Sequence, residues 1–477
     1  MNFNSSVLID LAEKYVGEHC LSFHKIPQSG SNRLYFRISF ENHDSIMGAF
    51  NDNVKENEAF FSFTDFFLKQ NINVPEVLAI DDSKIYYLLT DLGDETLYSH
   101  LTANRTVAGP SAETIELYRM VLQQLPRLQM TGKQGIDFSV CYPRSSFDRQ
   151  SMQWDLNYFK YYFLKLAGIS FDEQLLEDDF QKLIDFLLQA GNFYFLFRDF
   201  QSRNIMIFNN EPYFIDYQGG RRGALQYDIA SLLYDGKADL SPDLRNELLE
   251  FYLSELSNYI PVRRNEFLQF FDAFALIRIM QAFGTYGFRG YYEKKAHFLL
   301  SIPYAIRNIK YILDNCHLQL EIPELFSALR KITESELANL SMEVSDKLIV
   351  EINSFSYKKG IPMDYSGNGG GFVFDCRALP NPGREKFYQD FTGKDKVVAD
   401  YLEKYDEVSD FKDSVFALVK QSVDNYLERK FNHLSVSFGC TGGQHRSVYF
   451  AESLSEYLQE TYNQKIKVVL RHTNLKG

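Results

Sequence analysis

The spacing of apolar and polar positions changes character twice along this chain. Leu34-Tyr35-Phe36-Arg37-Ile38-Ser39-Phe40 alternates as a strand does, and Ile46 to Phe50 offers it a partner. Glu56 to Lys69 carries Phe60, Phe63 and Phe67 at helical spacing on one face. Ile85 to Thr90 is an apolar strand that ends in Asp91-Leu92-Gly93. Residues 1–90 therefore predict a mostly β lobe with one helix. From 110 to about 330 helical periods dominate, interrupted by short strands near 193–217. Residues 321–347 are polar, with Glu334, Glu336, Glu343 and Asp346, and predict a helical connector. Strands and helices then alternate: Leu348–Ile352, a glycine-rich loop over 367–371, Gly371–Cys376, a helix over Asp410–Leu427, Leu434–Phe438, a helix from near His445, and Ile466–Leu470. That β-α-β succession predicts a separate α/β domain with a largely parallel sheet.

Composition narrows the class. At 477 residues the chain exceeds one typical domain. With 42 Phe and 31 Tyr, its cores are expected to be built on rings. A net charge of −13 argues against bulk binding of RNA or DNA, which needs a surplus of Lys and Arg, although it leaves room for a local basic pocket. Cys20, Cys141, Cys316, Cys376 and Cys440 are scattered and form no Cys-x-x-Cys pair, so neither a disulfide framework nor a zinc site is indicated. The N-terminus lacks a signal-peptide pattern, and no apolar run approaches a membrane span. The expectation is a reduced, cytoplasmic protein without a membrane partner; a homo-oligomer is compatible with it.

The chemistry concentrates at Phe197-Arg198-Asp199-Phe200-Gln201-Ser202-Arg203-Asn204, followed by Phe214-Ile215-Asp216-Tyr217-Gln218. Asp199 can take a proton from a substrate hydroxyl. Asn204 can turn an amide oxygen to Mg2+, and Asp216 arrives on the next hairpin strand to hold that ion against ATP phosphates. Asn and Asp also favour plain turns, but here the pair lies between apolar runs and Asn209-Asn210-Glu211-Pro212 supplies the hairpin turn. At the nucleotide end, Gln28-Ser29-Gly30-Ser31-Asn32-Arg33 forms a small polar turn before a strand, with Ser29, Gly30, Ser31 and Asn32 as the expected nucleotide-binding residues. It reads equally as a phosphate cradle or as an ordinary hairpin turn. Asp91 and Gly93 complete the expected nucleotide-binding set. No Val-Ala-x-Lys strand follows; Lys55 and Glu58 are the nearest candidates for a lysine–glutamate clamp, or are solvated surface charges. Asp-Phe-Gly and Ala-Pro-Glu are absent, which argues against a protein kinase.

These motifs, with Tyr227-Asp228-Ile229-Ala230-Ser231-Leu232-Leu233 and Gln281-Ala282-Phe283-Gly284, make residues 1 to about 320 resemble the aminoglycoside-phosphotransferase-like kinases of small molecules. Within these they are most similar to the anomeric N-acetylmuramate/N-acetylglucosamine kinases of cell-wall recycling. Phe197 stands where that family usually has histidine. The resemblance implies an α+β protein-kinase-like bilobal domain and ATP-dependent phosphorylation of an amino sugar at its anomeric hydroxyl. Asp199 would be the base, Asn204 and Asp216 the metal ligands, and Arg203 and Asp228 structural or substrate-contacting residues.

A second constellation, Gly439-Cys440-Thr441-Gly442-Gly443-Gln444-His445-Arg446-Ser447, joins a strand to a helix. Glycines there let backbone N–H groups converge on a phosphate at the helix N-terminus, with Arg446 and Ser447 adding donors. The same segment satisfies Cys-x5-Arg, so Cys440 is alternatively a phosphatase nucleophile; no aspartate is marked as its general acid. With Phe374-Asp375-Cys376-Arg377-Ala378-Leu379-Pro380-Asn381-Pro382, Thr392-Gly393 and Arg471-His472, this loop makes residues 348–477 resemble the C-terminal domain of the RNase adapter protein RapZ. That implies a regulatory domain binding glucosamine-6-phosphate through Arg377, Asn381, Cys440, Thr441, Gly442, Gly443, His445, Arg446 and Ser447. The expected division is a kinase domain over 1–325, a linker over 326–347 and the phosphosugar domain over 348–477. Two functions stay open: a sugar kinase carrying a phosphosugar module, or an adapter that senses nucleotide and phosphosugar.

Overall fold

The computed structural model describes residues 3–27, 33–107, 109–316, 318–340, 347–362, 364, 366 and 370–475. It divides into two compact units, Met1–Phe288 with Ser301–Asn339, and Arg289–Leu300 with Leu340–Gly477.

The first unit opens with α1 (Ser5–Val16), β1 (Ser22–Lys25), β2 (Leu34–Ser39), β3 (Ile46–Phe50), α2 (Val54–Lys69), β4 (Val77–Ile80) and β5 (Tyr86–Thr90). The strands form one antiparallel sheet in the order β1-β2-β3-β5-β4. The alternation of β2 sorts its two faces. Phe36 and Ile38 join Leu8 and Ala12 of α1 in one core, while Tyr35 lies beside Ala49 of β3, itself beside Tyr87 of β5. The Asn53 side chain caps α2 by accepting the Glu56 N–H. The expected aromatic stripe of α2 is buried: Phe60 stacks on Tyr217 at 5.0 Å, and Phe63 and Phe67 meet Phe195 edge-on at 5.3 and 5.2 Å. These rings fix the helix against Phe195 and Tyr217, which flank the Asp199–Asp216 segment.

The larger lobe follows with α3 (Leu97–Ala103), α4 (Ala112–Met130), α5 (Arg149–Phe159), α6 (Glu173–Leu188), β6 (Tyr194–Leu196), β7 (Ile205–Phe208), β8 (Glu211–Phe214), β9 (Arg221–Gly223), α7 (Leu225–Leu233), α8 (Pro242–Ser257) and α9 (Arg264–Gly287); after α10 (Ala296–Leu299), which groups with the second unit, it resumes with α11 (Ile302–Asn315) and α12 (Pro323–Thr333). Strands β7 and β8 form the expected hairpin, and β6 pairs with β9. Helix α9 packs against α5, α7 and α11. The stretch Arg264–Tyr292 is long and apolar enough to cross a membrane by length and composition alone, which corrects the reading that no run approaches a span. Of its apolar window, 67% is buried inside the fold, as suits a core helix.

The polar segment expected as a linker over 326–347 also needs correction. Helix α12 buries Leu325, Ala328, Leu329 and Ile332 and packs against α6 and α11. Asp179 of α6 caps it, accepting the N–H groups of Glu324 and Leu325 at 2.7 and 3.1 Å. The first unit therefore continues to Asn339.

The second unit contains β10 (Leu348–Ser356), β11 (Phe372–Asp375), α13 (Lys396–Leu402), α14 (Asp406–Glu428), β12 (His433–Cys440), α15 (Arg446–Tyr462) and β13 (Ile466–His472). Its sheet is parallel throughout, in the order β11-β12-β10-β13. Val350, Ile352, Val436 and Phe438 meet Phe450 and Leu454 of α15 in its own core. The expected α/β domain with a mostly parallel sheet is thus present. Of the glycine-rich loop over 367–371, residues 367–369 lie outside the described residues.

Candidate functional site

The loop over Phe197–Asn204 is held from beneath. Asp228, in the first turn of α7, is fully buried and accepts the N–H groups of Phe197 and Arg198 at 2.8 and 3.1 Å. Arg198 has a left-handed backbone, φ +85°. Its guanidinium donates to both Asp155 oxygens at 2.7 and 2.5 Å and to the Tyr227 hydroxyl at 2.6 Å. Phe197, in the place of the family's histidine, packs edge-on against Phe200 at 5.2 Å and Tyr217 at 6.1 Å. A ring thus supports the loop there by packing.

On this base the structure brings Asp199, Asn204 and Asp216 together. Asn204 Nδ2 donates to the Asp199 carbonyl at 2.8 Å and to Asp216 Oδ2 at 3.4 Å. That leaves Asn204 Oδ1 as the atom able to ligate a cation. Asp216 sits at φ +70°, a backbone conformation uncommon outside glycine, and its Oδ1 accepts from Gln218 Nε2 at 2.9 Å. One carboxylate plus one amide oxygen suits Mg2+, which takes few protein ligands and completes its shell with phosphates and water. The Asp199 side chain is 46% exposed, open to an incoming hydroxyl, with Arg278 3.5 Å from its Oδ1. Arg278 Nε donates to Ser231 at 2.9 Å, and Gln201, Ser231, Arg278, Ala282 and Tyr286 line a small pocket beside Asp199. Arg203 is exposed and donates to Gln201 Oε1 at 2.7 Å.

Burial pushes the Asp228 carboxyl up to about 7, against the pull of the two amides and of Arg278; the Asp199 charge adds to the rise. An unfolded-chain aspartate titrates near about 3.9, so the folded state holds this proton more tightly. The Asp228 contribution to stability is then complete below about pH 4 and fades as pH rises through about 7. In Asp228→Asn, the decline of melting temperature between these values is expected to flatten; slopes equal to wild type would contradict the assignment.

Ser29, Gly30, Ser31 and Asn32 lie outside the described residues. The Asp91 carboxylate accepts from Arg37 at 2.6 Å, Ser45 at 2.7 Å and the Gly93 N–H at 3.0 Å. Burial alone would raise Asp91, yet these hydrogen bonds hold it below its usual range. Its carboxylate thereby ties the sheet together, and Gly93 supplies a left-handed turn at φ +77°. Lys55 and Glu58 form no clamp: Glu58 pairs with Lys84 at 2.7 Å, and Lys55 Nζ lies 6.0 Å from the Tyr142 ring. Arg33, the last residue of the polar turn, was expected there without a role of its own; it is 3% exposed with its NH2 3.6 Å from Glu56 Oε2. The only available signal was an arginine where that turn meets an alternating strand.

In the second unit, the turn after β12 wraps the Cys440 sulfur. The Gly443 N–H donates to Sγ at 3.1 Å, with Ser447 Oγ also at 3.1 Å. Burial alone would raise this thiol, but Ser447, the amides of Ser447 and Gly443 and the Arg446 charge bring it below its usual value. Arg446 is buried, and its NH1 donates to the Arg377 and Leu379 carbonyls at 2.8 and 2.9 Å. Its guanidinium thus fastens the turn after β11. His445 Nε2 lies 2.9 Å from the Tyr388 carbonyl, and the Asn381 side chain accepts the Gly383 N–H at 3.3 Å. Thr441 and Gly442 are exposed, and Arg377, about half exposed, lies over the Tyr357 ring at 3.9 Å and pairs with Asp375 at 2.7 Å. The expected residues thus separate into an outer set able to meet a ligand (Arg377, Thr441, Gly442) and an inner set that shapes the turn (Asn381, Cys440, Gly443, His445, Arg446, Ser447).

Two family models match this one chain. That of the phosphotransferase enzyme family matches residues 26–264, half of the chain, and that of the RapZ C-terminal domain matches residues 348–476. A nucleotide-binding protein of Methylobacillus flagellatus is 38% identical over 129 residues, 27% of this chain and 43% of that protein. One of Aliivibrio salmonicida is 34% identical over 179 residues, 37% of this chain and 60% of that protein. The chain spans about half the length of the curated relatives it matches. Among solved structures, choline kinase from Cryptosporidium parvum is 15% identical with a TM-score of 0.47, covering 69% of this chain and 100% of its own. Choline kinase LicA from Streptococcus pneumoniae is 12% identical with a TM-score of 0.43, covering 65% and 99%.

Proposed function

Because the chain belongs to the phosphotransferase enzyme family, we propose that its first unit is an ATP-dependent kinase of an amino sugar such as N-acetylmuramate or N-acetylglucosamine, acting on the anomeric hydroxyl. The observation that carries the kinase reading is the convergence of Asp199, Asn204 and Asp216 on one braced loop and hairpin. The sugar rests on the motif resemblance of the catalytic loop and of Tyr227–Leu233. Asp199 takes the proton of the acceptor hydroxyl as it attacks the terminal phosphate. Asp216 and Asn204 Oδ1 would hold Mg2+, which supplies charge neutralisation at the phosphates. Asp228 and Arg198 keep Asp199 in place, and Arg278 faces it from the acceptor pocket. The test is a panel of amino sugars with Mg-ATP, reading the phosphorylated position by phosphorus NMR. Nucleotide binding without transfer to any sugar would favour the adapter reading instead.

For the second unit we propose a phosphosugar-binding, regulatory role at the turn after β12, consistent with its RapZ C-terminal match. Phosphate binding is favoured over thiol catalysis because Arg446 NH1 faces main-chain carbonyls and Cys440 is 3% exposed. Cys440→Ser is expected to leave glucosamine-6-phosphate affinity within about threefold, since a hydroxyl can accept the same amide. Neither protein should release phosphate from that ester; Cys440-dependent release would make the unit a phosphatase.

A further inference from the structure

Kinase-type transfer ordinarily uses a lysine on the third strand of the small lobe, held by a carboxylate of the neighbouring helix, as a fixed cation on the nucleotide phosphates. Strand β3 contains no lysine. A Cβ on Gly48 would lie 3.0 Å from Ile38 and 3.3 Å from Leu8, so that position faces α1. The next residue, Ala49, is fully buried on the opposite face, beside Tyr35 and Tyr87. Tyr87 meets Phe60 and Phe61 of α2 at 5.8 and 5.0 Å, so this is the face towards that helix.

The adjacent strand carries a cation on that same face. Leu34 pairs with Phe50, which puts Arg33 one step beyond, on the same face as Tyr35. Its guanidinium lies 5.7 Å over the Phe60 ring and 3.6 Å from Glu56 Oε2. Asn51 Nδ2 donates to that same Glu56 oxygen at 3.2 Å and steadies it. Phe60 stacks on Tyr217, the residue after Asp216. Burial alone would lower the Arg33 pKa, but Tyr35, Tyr87 and, least of these, Asp216 raise it above its usual range.

We propose that Arg33, clamped by Glu56, supplies from the start of β2 the phosphate-binding cation that β3 lacks. The inference rests on the kinase reading above. An arginine changes the contact: its planar fork can engage two phosphate oxygens at once, where an ammonium acts as a point charge.

The test uses the full chain, with calorimetry of Mg-AMP-PNP and steady-state kinetics. Arg33→Met is expected to weaken nucleotide binding by more than tenfold, and Arg33→Lys by no more than about fivefold. Wild-type affinity in the methionine variant overturns the proposal, as does a lysine variant as weak as methionine. Glu56 has a side chain 35% exposed, so Glu56→Gln keeps the question open to test should Arg33→Met not fold. It should raise the KM for ATP about fivefold with the acceptor KM unchanged, and an unchanged KM for ATP overturns the clamp. A wild type that binds nucleotide but phosphorylates no acceptor would fail the kinase reading alone. A wild type that binds no nucleotide would overturn both.

Discussion

Asp199→Asn is expected to lower turnover about a thousandfold while Mg-nucleotide affinity stays within about twofold of wild type. An amide is the same size but accepts no proton, so the acceptor hydroxyl attacks without a base. The loop should survive the change, because its frame is built from Asp228, Arg198 and Asp155 and needs only the Asp199 carbonyl, on Asn204. The effect should therefore appear in kcat and leave the KM for ATP nearly untouched. Near-normal turnover would remove Asp199 from the chemistry. Asp216→Ala is the contrasting control, since losing the carboxylate proposed to hold Mg2+ should weaken Mg-nucleotide itself.

The second large effect belongs to the other unit. A Cβ on Gly393 would sit 2.2 Å from the His445 carbonyl oxygen and 2.3 Å from the Tyr449 amide nitrogen. Both are main-chain atoms at the start of α15 and have no rotamer through which to yield. The segment is also pinned there: the Gly393 N–H donates to the Gln444 carbonyl at 2.9 Å, and Gln444 Nε2 donates back to the Phe391 carbonyl at 2.8 Å. Gly393→Ala is expected to destabilise this unit by more than about 4 kcal/mol, in the range reserved for overpacking and strain against a fixed backbone. Hydrogen exchange should reveal it as lost protection in peptides from β12 and α15, with kinase turnover retained. Unchanged protection would mean that the turn and helix separate easily.

Much of this was legible in the sequence, for identifiable reasons. The period-two pattern at Leu34–Phe40 survives because the two faces of β2 meet different partners. The spacing of Asp199, Asn204 and Asp216 survives because a short loop and a hairpin translate sequence distance directly into space. What stayed hidden depends on partners distant along the chain. Arg33 and Glu56 belong to different elements, and no local period announces their meeting. Arg446 and Asp91 were readable as charges, but their orientation towards Leu379 and Arg37 was not. Helix α12 was expected as a helix, but its packing was masked by its polar face: Leu325, Ala328, Leu329 and Ile332 do follow helical spacing, yet Glu324, Arg330 and Lys331 dominate its composition.

That helix decides where the chain can be cut. A recombinant kinase fragment ending at 325 would discard Ala328, Leu329 and Ile332, strip the cover from the α6 and α11 surfaces they occupy, and leave only a stub for the buried Asp179 to cap. Such a piece should precipitate, or be recovered only with chaperones attached, through the exposed furrow. Inactivity in that preparation would reflect a damaged particle and say nothing about whether catalysis needs the second unit. Fragments meant to separate the two halves should run through Asn339.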